Sequence, residues 1–380
     1  MARNPASAEA IPASLMRGGT SRGIVFPLEV VPPEGPERDR FLIALMGSFD
    51  PGQVDGFGGN TSVTSKIMMV SHREDVEEID YLFAQVDPRN PTVDYGGNCG
   101  NMTAAVALYA AMERLAEPTS PMTEIMLRNL NTATRIRALL PTGPDGPATA
   151  GDYRIAGISR PGAEIVTQYL DPAGPRGPFP TGKASEILDV PGVGDVHVSI
   201  VDIASPLVFV AAGDVGLVGT ELPAAIDSDE ALLSRLEAIR GSAAQRLGLV
   251  DRAQDAARRT PGIPKLTMVS APTDYVADGG EQVRRDQVEV VVRMMSVQRA
   301  HHAIAITGTV CTAGAAALPG TVPHRIAGPA RSGRVRLGHP KGTVEATLDV
   351  EADEGGVRVR SIGVSRTARC LMRGQMARPT

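Results

Sequence analysis

Hydrophobic residues along this chain come in short runs divided by glycine and proline. Runs that read as strands lie at 24–26, 67–70, 81–86, 125–130, 135–140, 164–170, 196–203, 207–211, 265–270, 288–295, 335–337, 343–350 and 357–362. That density of strand-like segments excludes a helical bundle. Two segments break the pattern. Residues 102–115 (MTAAVALYAAMERL) and 303–318 (AIAITGTVCTAGAAAL) are long, alanine-rich and apolar on nearly every face. A helix that is apolar all round has to be buried all round, and both are too short to span a bilayer, so each is expected inside its own β shell.

The two helices start about 200 residues apart, each behind a compact polar cluster, GGNCGN at 96–101 and SVQRAHH at 296–302. One architecture used twice is the reading: an α+β protein of two similar domains, each a barrel-like mixed sheet around a central helix. The length agrees, since 380 residues exceed the roughly 250 at which single cores stop growing. Helices at 227–240 and 243–257 carry mixed charge at amphipathic spacing and belong on the outside. The stretch 171–182 (DPAGPRGPFPTG) holds neither regular structure and is expected to link the domains. The division falls at 1–183, with Lys66 and Cys99, and 184–380, with the helix at 303–318 and a C-terminal tail free to pack back on the first domain. The segment 141–150 (PTGPDGPATA) reads as a hairpin loop.

Charge and composition narrow the function. A net charge of -5 argues against nucleic acid as a partner, because phosphate contacts need excess Lys and Arg. With 3% aromatics and no Trp, stacking platforms are also excluded. Glycine (41) and proline (30) are abundant, which beside 42% hydrophobic residues means turns and not disorder. Cys99, Cys311 and Cys370 form no CxxC pair, so a disulfide framework is not expected and a reducing cytoplasm fits best. No apolar run is long enough for a membrane span, and the first residues lack a signal-peptide core. The six histidines show no HxxH or HExxH spacing, so no metal site is predicted.

The sharpest chemical signal is GGNCGN. Cys99 falls at the start of a buried helix, where unpaired backbone N–H groups and the macrodipole stabilise an anion. Gly100 and its neighbours allow close approach, and Asn98 and Asn101 supply amides. The second signal is GFGGNTSVTSKIMMV at 56–70. It leads through Thr64 and Ser65 to Lys66 at the mouth of an apolar strand, where partial desolvation makes a neutral amine a usable base. Val63 three residues earlier excludes an SxxK nucleophile, and no phosphate-loop GxxxxGK[ST] is present. The third is MRGGTSRG at 16–23, whose Arg17, Gly19, Thr20, Ser21 and Arg22 suit an anionic substrate. Ser296, the pair His301 and His302, and His339 and Lys341 of LGHPKG are further candidates for substrate contact. Glycines 18, 19, 58, 59, 96, 97 and 100 are read as places where backbone approaches an anion. Cys311, mid-helix, is expected to be packing.

MRGGTSRG, VTSK, IDYLFAQV, VDYGGNCGN, RMMSVQRAHHA, LGHPKG and SRTARCLM, in that order, resemble the PrpF family over nearly the whole chain. The resemblance implies a fold like diaminopimelate epimerase, with a site in the cleft between two domains. It also implies cofactor-independent proton shifts on unsaturated polycarboxylates such as 2-methylaconitate, 3-methylitaconate, 4-oxalomesaconate or aconitate. Lys66 and Cys99 then fall on the family's acid/base residues. The chain departs from the family pattern at Arg22 (usually Lys), in GGNTSVTSK, and at Lys341 (usually Ser), all around the substrate. The expected partner is a small polycarboxylate, with no cofactor and no membrane; a homodimer is compatible. Two alternatives stay open. An amino-acid racemase or epimerase would need a second thiol at the second helix, where Ser296, His301 and His302 stand instead. A non-catalytic carboxylate-binding relative would keep the cleft without turnover.

Overall fold

A computed structural model describes residues 10–72, 76–328, 333–353 and 356–379, leaving aside the side chains of 353 and 356. One order of strand pairings occurs twice. Ile11–Gly18 pairs antiparallel with Ser21–Pro27, which lies parallel to Lys66–His72 after the crossover helix Pro36–Met46. Lys66–His72 returns antiparallel into Ile79–Val86, and after the helix Gly100–Met112 the chain adds Met122–Asn129 parallel to it. Arg135–Gly143 and Ile165–Leu170 follow antiparallel.

In the second run Gly194–Asp202 pairs with Pro206–Ala211, which lies parallel to Lys265–Ser270 across the helix Glu230–Arg246. Val290–Ser296 returns antiparallel, the helix Ile306–Ala317 intervenes, and Arg334–His339 adds in parallel. Gly342–Asp353 and Gly356–Arg366 close the run. The two runs join into one large mixed sheet. Gly356–Arg366 also pairs with Ile165–Leu170, and the last strand, Ala368–Met376, with Ile11–Gly18.

Patterning explains the layers. Within Lys66–His72, residues 67–70 are apolar without alternation because both faces are covered there, as in buried parallel strands. Met68 and Val70 pack toward the first buried helix, whereas Ile67 and Met69 meet Phe41, Leu42 and Leu45 of the crossover helix. In the second run Val269 joins the inner core, and Leu266 and Met268 meet Leu232, Leu236 and Ile239. Inside, every residue from Gly100 to Ala111 and from Ile306 to Ala316 is buried. The expectation of two apolar helices wrapped by strands thus matches the structure. Small residues permit the closure: a Cβ on Gly308 would meet Met294 Cε at 2.0 Å, and one on Gly314 would meet Ile203 Cδ1 at 2.6 Å.

Two expectations are corrected. The outer helix does not break between 240 and 243; it runs from Glu230 to Arg246, and the second outer helix shrinks to Ala253–Asp255 and Ala256–Arg259. Gly241 is there for contact and not for a break, since a Cβ on it would lie 2.5 Å from the Ala253 carbonyl oxygen. The crossover helix Pro36–Met46 (PERDRFLIALM) has no counterpart in the sequence reading, although Pro36 opens it and Gly47, at φ 69°, closes it as helix ends require. The segment 141–150 does make a hairpin turn, with Thr142 opposite Pro147. Among the described residues no helix is long and apolar enough to cross a membrane.

Candidate active site

The starts of the two buried helices face each other. Gly100, the first residue of one, is so close to Ile306, the first of the other, that a Cβ on it would stand 2.7 Å from Ile306 Cγ2 and 2.3 Å from the Tyr169 hydroxyl oxygen. Neither helix start is capped by the side chain before it, Cys99 in the first and Ala305 in the second. First-turn N–H groups therefore lack intrahelical partners, and both positive dipole ends point into one small pocket.

Lys66, Cys99, Ser21, Asn98, Gly100, Asn101 and Ser296 of the sequence-predicted set line that pocket together. Lys66 is buried, donating from Nζ to Gln85 Oε1 at 2.6 Å and lying 5.2 Å from the Phe83 ring centre. Strand pairing sets it there: Lys66 is opposite Gly23, where a side chain would strike the Lys66 carbonyl oxygen at 2.5 Å. The buried Cys99 thiol sits 3.8 Å from Ser21 Oγ. Asn98 donates to the Tyr81 hydroxyl at 2.8 Å, and its own Oδ1 is buried without a partner. Burial raises the Tyr81 phenol well above its ordinary range, so it stays protonated.

Other predicted residues sit beside the pocket or away from it. Thr20 meets Asn101 through Nδ2→Oγ1 at 3.2 Å. Gly19, at φ +51°, passes so near Asn101 that a Cβ would lie 1.9 Å from Oδ1. Arg17 donates to the Gly19 and Thr367 carbonyl oxygens at 3.0 and 2.8 Å, holding the hairpin to the last strands. Arg22 reaches the Gly58 carbonyl oxygen at 3.3 Å, and Thr64 meets Thr61. Ser65, fully buried and not lining the pocket, donates to Gln53 Oε1 at 2.7 Å. Several glycines read as anion approaches therefore approach protein: Gly18 and Gly19 meet Asn101, Gly59 meets Arg22 and Thr64, and Gly100 meets Ile306.

His301, not His302, lines the pocket; its Nδ1 accepts from the Ala303 N–H at 3.0 Å, and burial drives its pKa down, keeping it neutral. His302 stacks on it at 4.8 Å and lines an outer chamber of about 380 Å³. That chamber shares Ser62, Val63, Ser296, Val297 and His301 with the pocket, whose own enclosed space is about 50 Å³. His339 lines a separate cavity, and Lys341 pairs with Asp278 at 2.5 Å. Cys311 is inert packing as expected: fully buried, its Sγ lies 3.4 Å from the Val201 carbonyl oxygen, and burial raises its pKa.

The sequence reading missed Lys265. It opens the second run's strand KLTMVS as Lys66 opens KIMMVS, and it lines the same pocket. Its Nζ donates to the Gly262 carbonyl oxygen at 2.9 Å, and burial lowers its pKa to about 8. Asp94 faces it from the first run, accepting from the Gly96 N–H at 2.7 Å. The echo between the two hexapeptides was the available signal. An amine and a thiol beside a second lysine, helix N-termini and a polar wall can bind carboxylates and move a proton.

Comparison with known proteins places the chain among isomerases. The chain belongs to the PrpF family, whose model, described as PrpF protein, matches residues 8–379. It is 37% identical to a 2-methyl-aconitate isomerase of Shewanella oneidensis, over 96% of each chain. It is 36% identical to a 4-oxalomesaconate tautomerase of Pseudomonas putida, covering 96% of this chain and 95% of that one. Among solved structures it resembles a methylitaconate-delta-isomerase at TM-score 0.78 and 34% identity, over 97% of this chain and 95% of that chain.

Proposed function

We propose that this protein is a cofactor-independent isomerase that moves a proton across the allyl system of an unsaturated di- or tricarboxylate such as 2-methylaconitate, 4-oxalomesaconate or aconitate. The observation that carries the reading is the meeting of Lys66 and Cys99 in one pocket under two uncapped helix N-termini. Lys66 Nζ removes a proton from the carbon vinylogous to a carboxylate or keto acid, leaving a dienolate. The helix N–H groups hold the developing negative charge, and Lys265 grips a carboxylate of the substrate. Lys66 or Cys99 then returns a proton to the other end of the allyl system. A positioned base of this kind supplies about 10²- to 10⁴-fold, and orientation and the anion hole supply the rest.

Ser21, Asn98, Asn101 and Ser296 are the polar wall that orients the substrate, with Arg22 and Lys341 outside it. We read the two runs of strands as two similar domains dividing near residue 183, with the site between them. A cytoplasmic location accords with three free thiols, Cys99, Cys311 and Cys370. A racemase would need a second thiol beside Ile306; His301, Ala305 and Lys265 line the pocket there. The test is proton NMR in D2O with a panel of 2-methylaconitate, 4-oxalomesaconate, aconitate and 3-methylitaconate. Exchange of one allylic signal with formation of its double-bond isomer is expected. Exchange at the α-carbon of a chiral amino acid, with none in the panel, would overturn the reading.

A further inference from the structure

A second cavity, of about 200 Å³, lies on the other side of the Thr20–Asn101 bridge from the Lys66 pocket. Thr20, Tyr153, Arg154, His339, Thr343 and Arg366 are among its lining residues. Arg366 is the unusual member. Its side chain is 7% exposed, its Nη1 donates to the Ser365 carbonyl oxygen at 2.7 Å, and its buried Nε has no partner. Among the described residues no carboxylate pairs with it.

Two other arginines are as deeply buried, and one of them, Arg240, pairs with Glu237 at 2.6 Å. The other, Arg293, donates to the Glu221 and Val292 carbonyl oxygens at 2.5 and 2.8 Å and lies 5.2 Å from the Tyr275 ring centre, with its buried Nη2 unpartnered. Arg366 has one carbonyl and an open polar cavity. A buried guanidinium without a counter-charge is costly, and it is held where something negative arrives. Burial pulls its pKa down to about 10 without removing the charge at neutral pH.

The rest of the cavity is compatible with an anion. His339 accepts the Lys341 N–H on Nδ1 at 3.1 Å, and burial together with Arg366 and Arg293 lowers its pKa to about 3, so it adds no charge of its own. Arg154 stands exposed at the rim. Glu345, the acidic residue lining the cavity, is exposed and faces Arg334 at 3.6 Å. The space equals about six water volumes, enough for one small oxyanion with part of its hydration.

We infer that the Arg366 cavity is a second anion site, which takes one small oxyanion, a phosphate or a single carboxylate, against the Arg366 guanidinium with Arg154 closing from the rim. The inference does not depend on the isomerase reading, because none of these residues lines the Lys66 pocket.

Inorganic phosphate titrated into the full chain at constant ionic strength, followed by calorimetry, tests it. Saturable one-to-one binding is expected for the wild type and for Lys66→Met. Arg366→Gln should weaken it roughly tenfold or more, the loss of a charge-assisted hydrogen bond. Arg154→Ala, an exposed change that keeps the fold, should weaken it severalfold and covers the case in which Arg366→Gln does not fold. Absence of saturable binding overturns the site, as does unchanged binding in both arginine variants or loss of binding in Lys66→Met. A second arm separates the sources of the oxyanion, using cis-aconitate on Lys66→Met with and without saturating phosphate. Competition identifies a substrate carboxylate in the Arg366 cavity, and independent binding identifies a free anion; either one retains the site.

Discussion

The two runs of strands present the same framework to one pocket and differ in what they place on it. The first brings a lysine at a strand start and a cysteine at a helix start, Lys66 and Cys99. The second brings Lys265 and, where the cysteine would be, Ala305. A duplicated scaffold therefore carries an unduplicated set of reactive groups. On the proposed mechanism the chemistry belongs to the first run, and the second supplies a cation, a helix dipole and a wall.

Removing the two lysines in turn is the strongest way to break that comparison. Lys66→Met should reduce turnover by about 10³-fold or more, a base being lost outright, while Lys265→Met should act mainly through KM. Steady-state kinetics on the substrate found by NMR checks both, and equal losses in kcat would abolish the asymmetry. Cys99→Ala is expected to cost less than Lys66→Met, about 10- to 10²-fold, if the thiol returns the proton. Near wild-type turnover in both Lys66→Ala and Cys99→Ala would contradict the account.

Next in size is Gly100→Ala. The added methyl would press on Tyr169 and Ile306 and force the two helix starts apart, costing about 1–3 kcal/mol together with most activity. Gly241→Ala presses on the Ala253 carbonyl at a similar distance but on the outer helix, so it should lower Tm and leave kcat/KM intact. Thermal melts beside kinetics separate the two.

The smallest effect is in pH. Lys265 titrates near 8 when folded and near 10.5 when unfolded, so between those values the unfolded chain binds the extra proton. Stability from this residue thus rises with pH across that window, while its grip on a carboxylate falls. KM should therefore increase above about pH 8, and Lys265→Arg, charged throughout, should abolish the break.

How much of this the sequence could say depended on distance along the chain. Lys66 and Cys99 were legible because each stands inside its own local motif, a Gly-rich turn running into a strand and GGNCGN running into an apolar helix. The buried helices were legible because they have no polar face. Lys265 was not, since its meaning comes from pairing opposite Pro206–Ala211 and from facing Asp94 across the pocket. Only comparison of KLTMVS with KIMMVS would have singled it out. Arg17 and Ser65 carried the right chemistry in the right motifs, but their hydrogen bonds turn to Thr367 and Gln53, which no local pattern reveals. The crossover helix Pro36–Met46 escaped because its charged first turn hides a short apolar face that needs the sheet to complete it.

The central claim, that Lys66 moves the proton, is tested most directly by solvent exchange. Wild type, Lys265→Met and Lys66→Met are incubated in D2O with the exchanging polycarboxylate and followed by proton NMR. Deuterium is expected at the allylic carbon with wild type, slower incorporation with Lys265→Met that recovers at high substrate, and none above background with a folded Lys66→Met. Incorporation by Lys66→Met at the wild-type rate would contradict that claim.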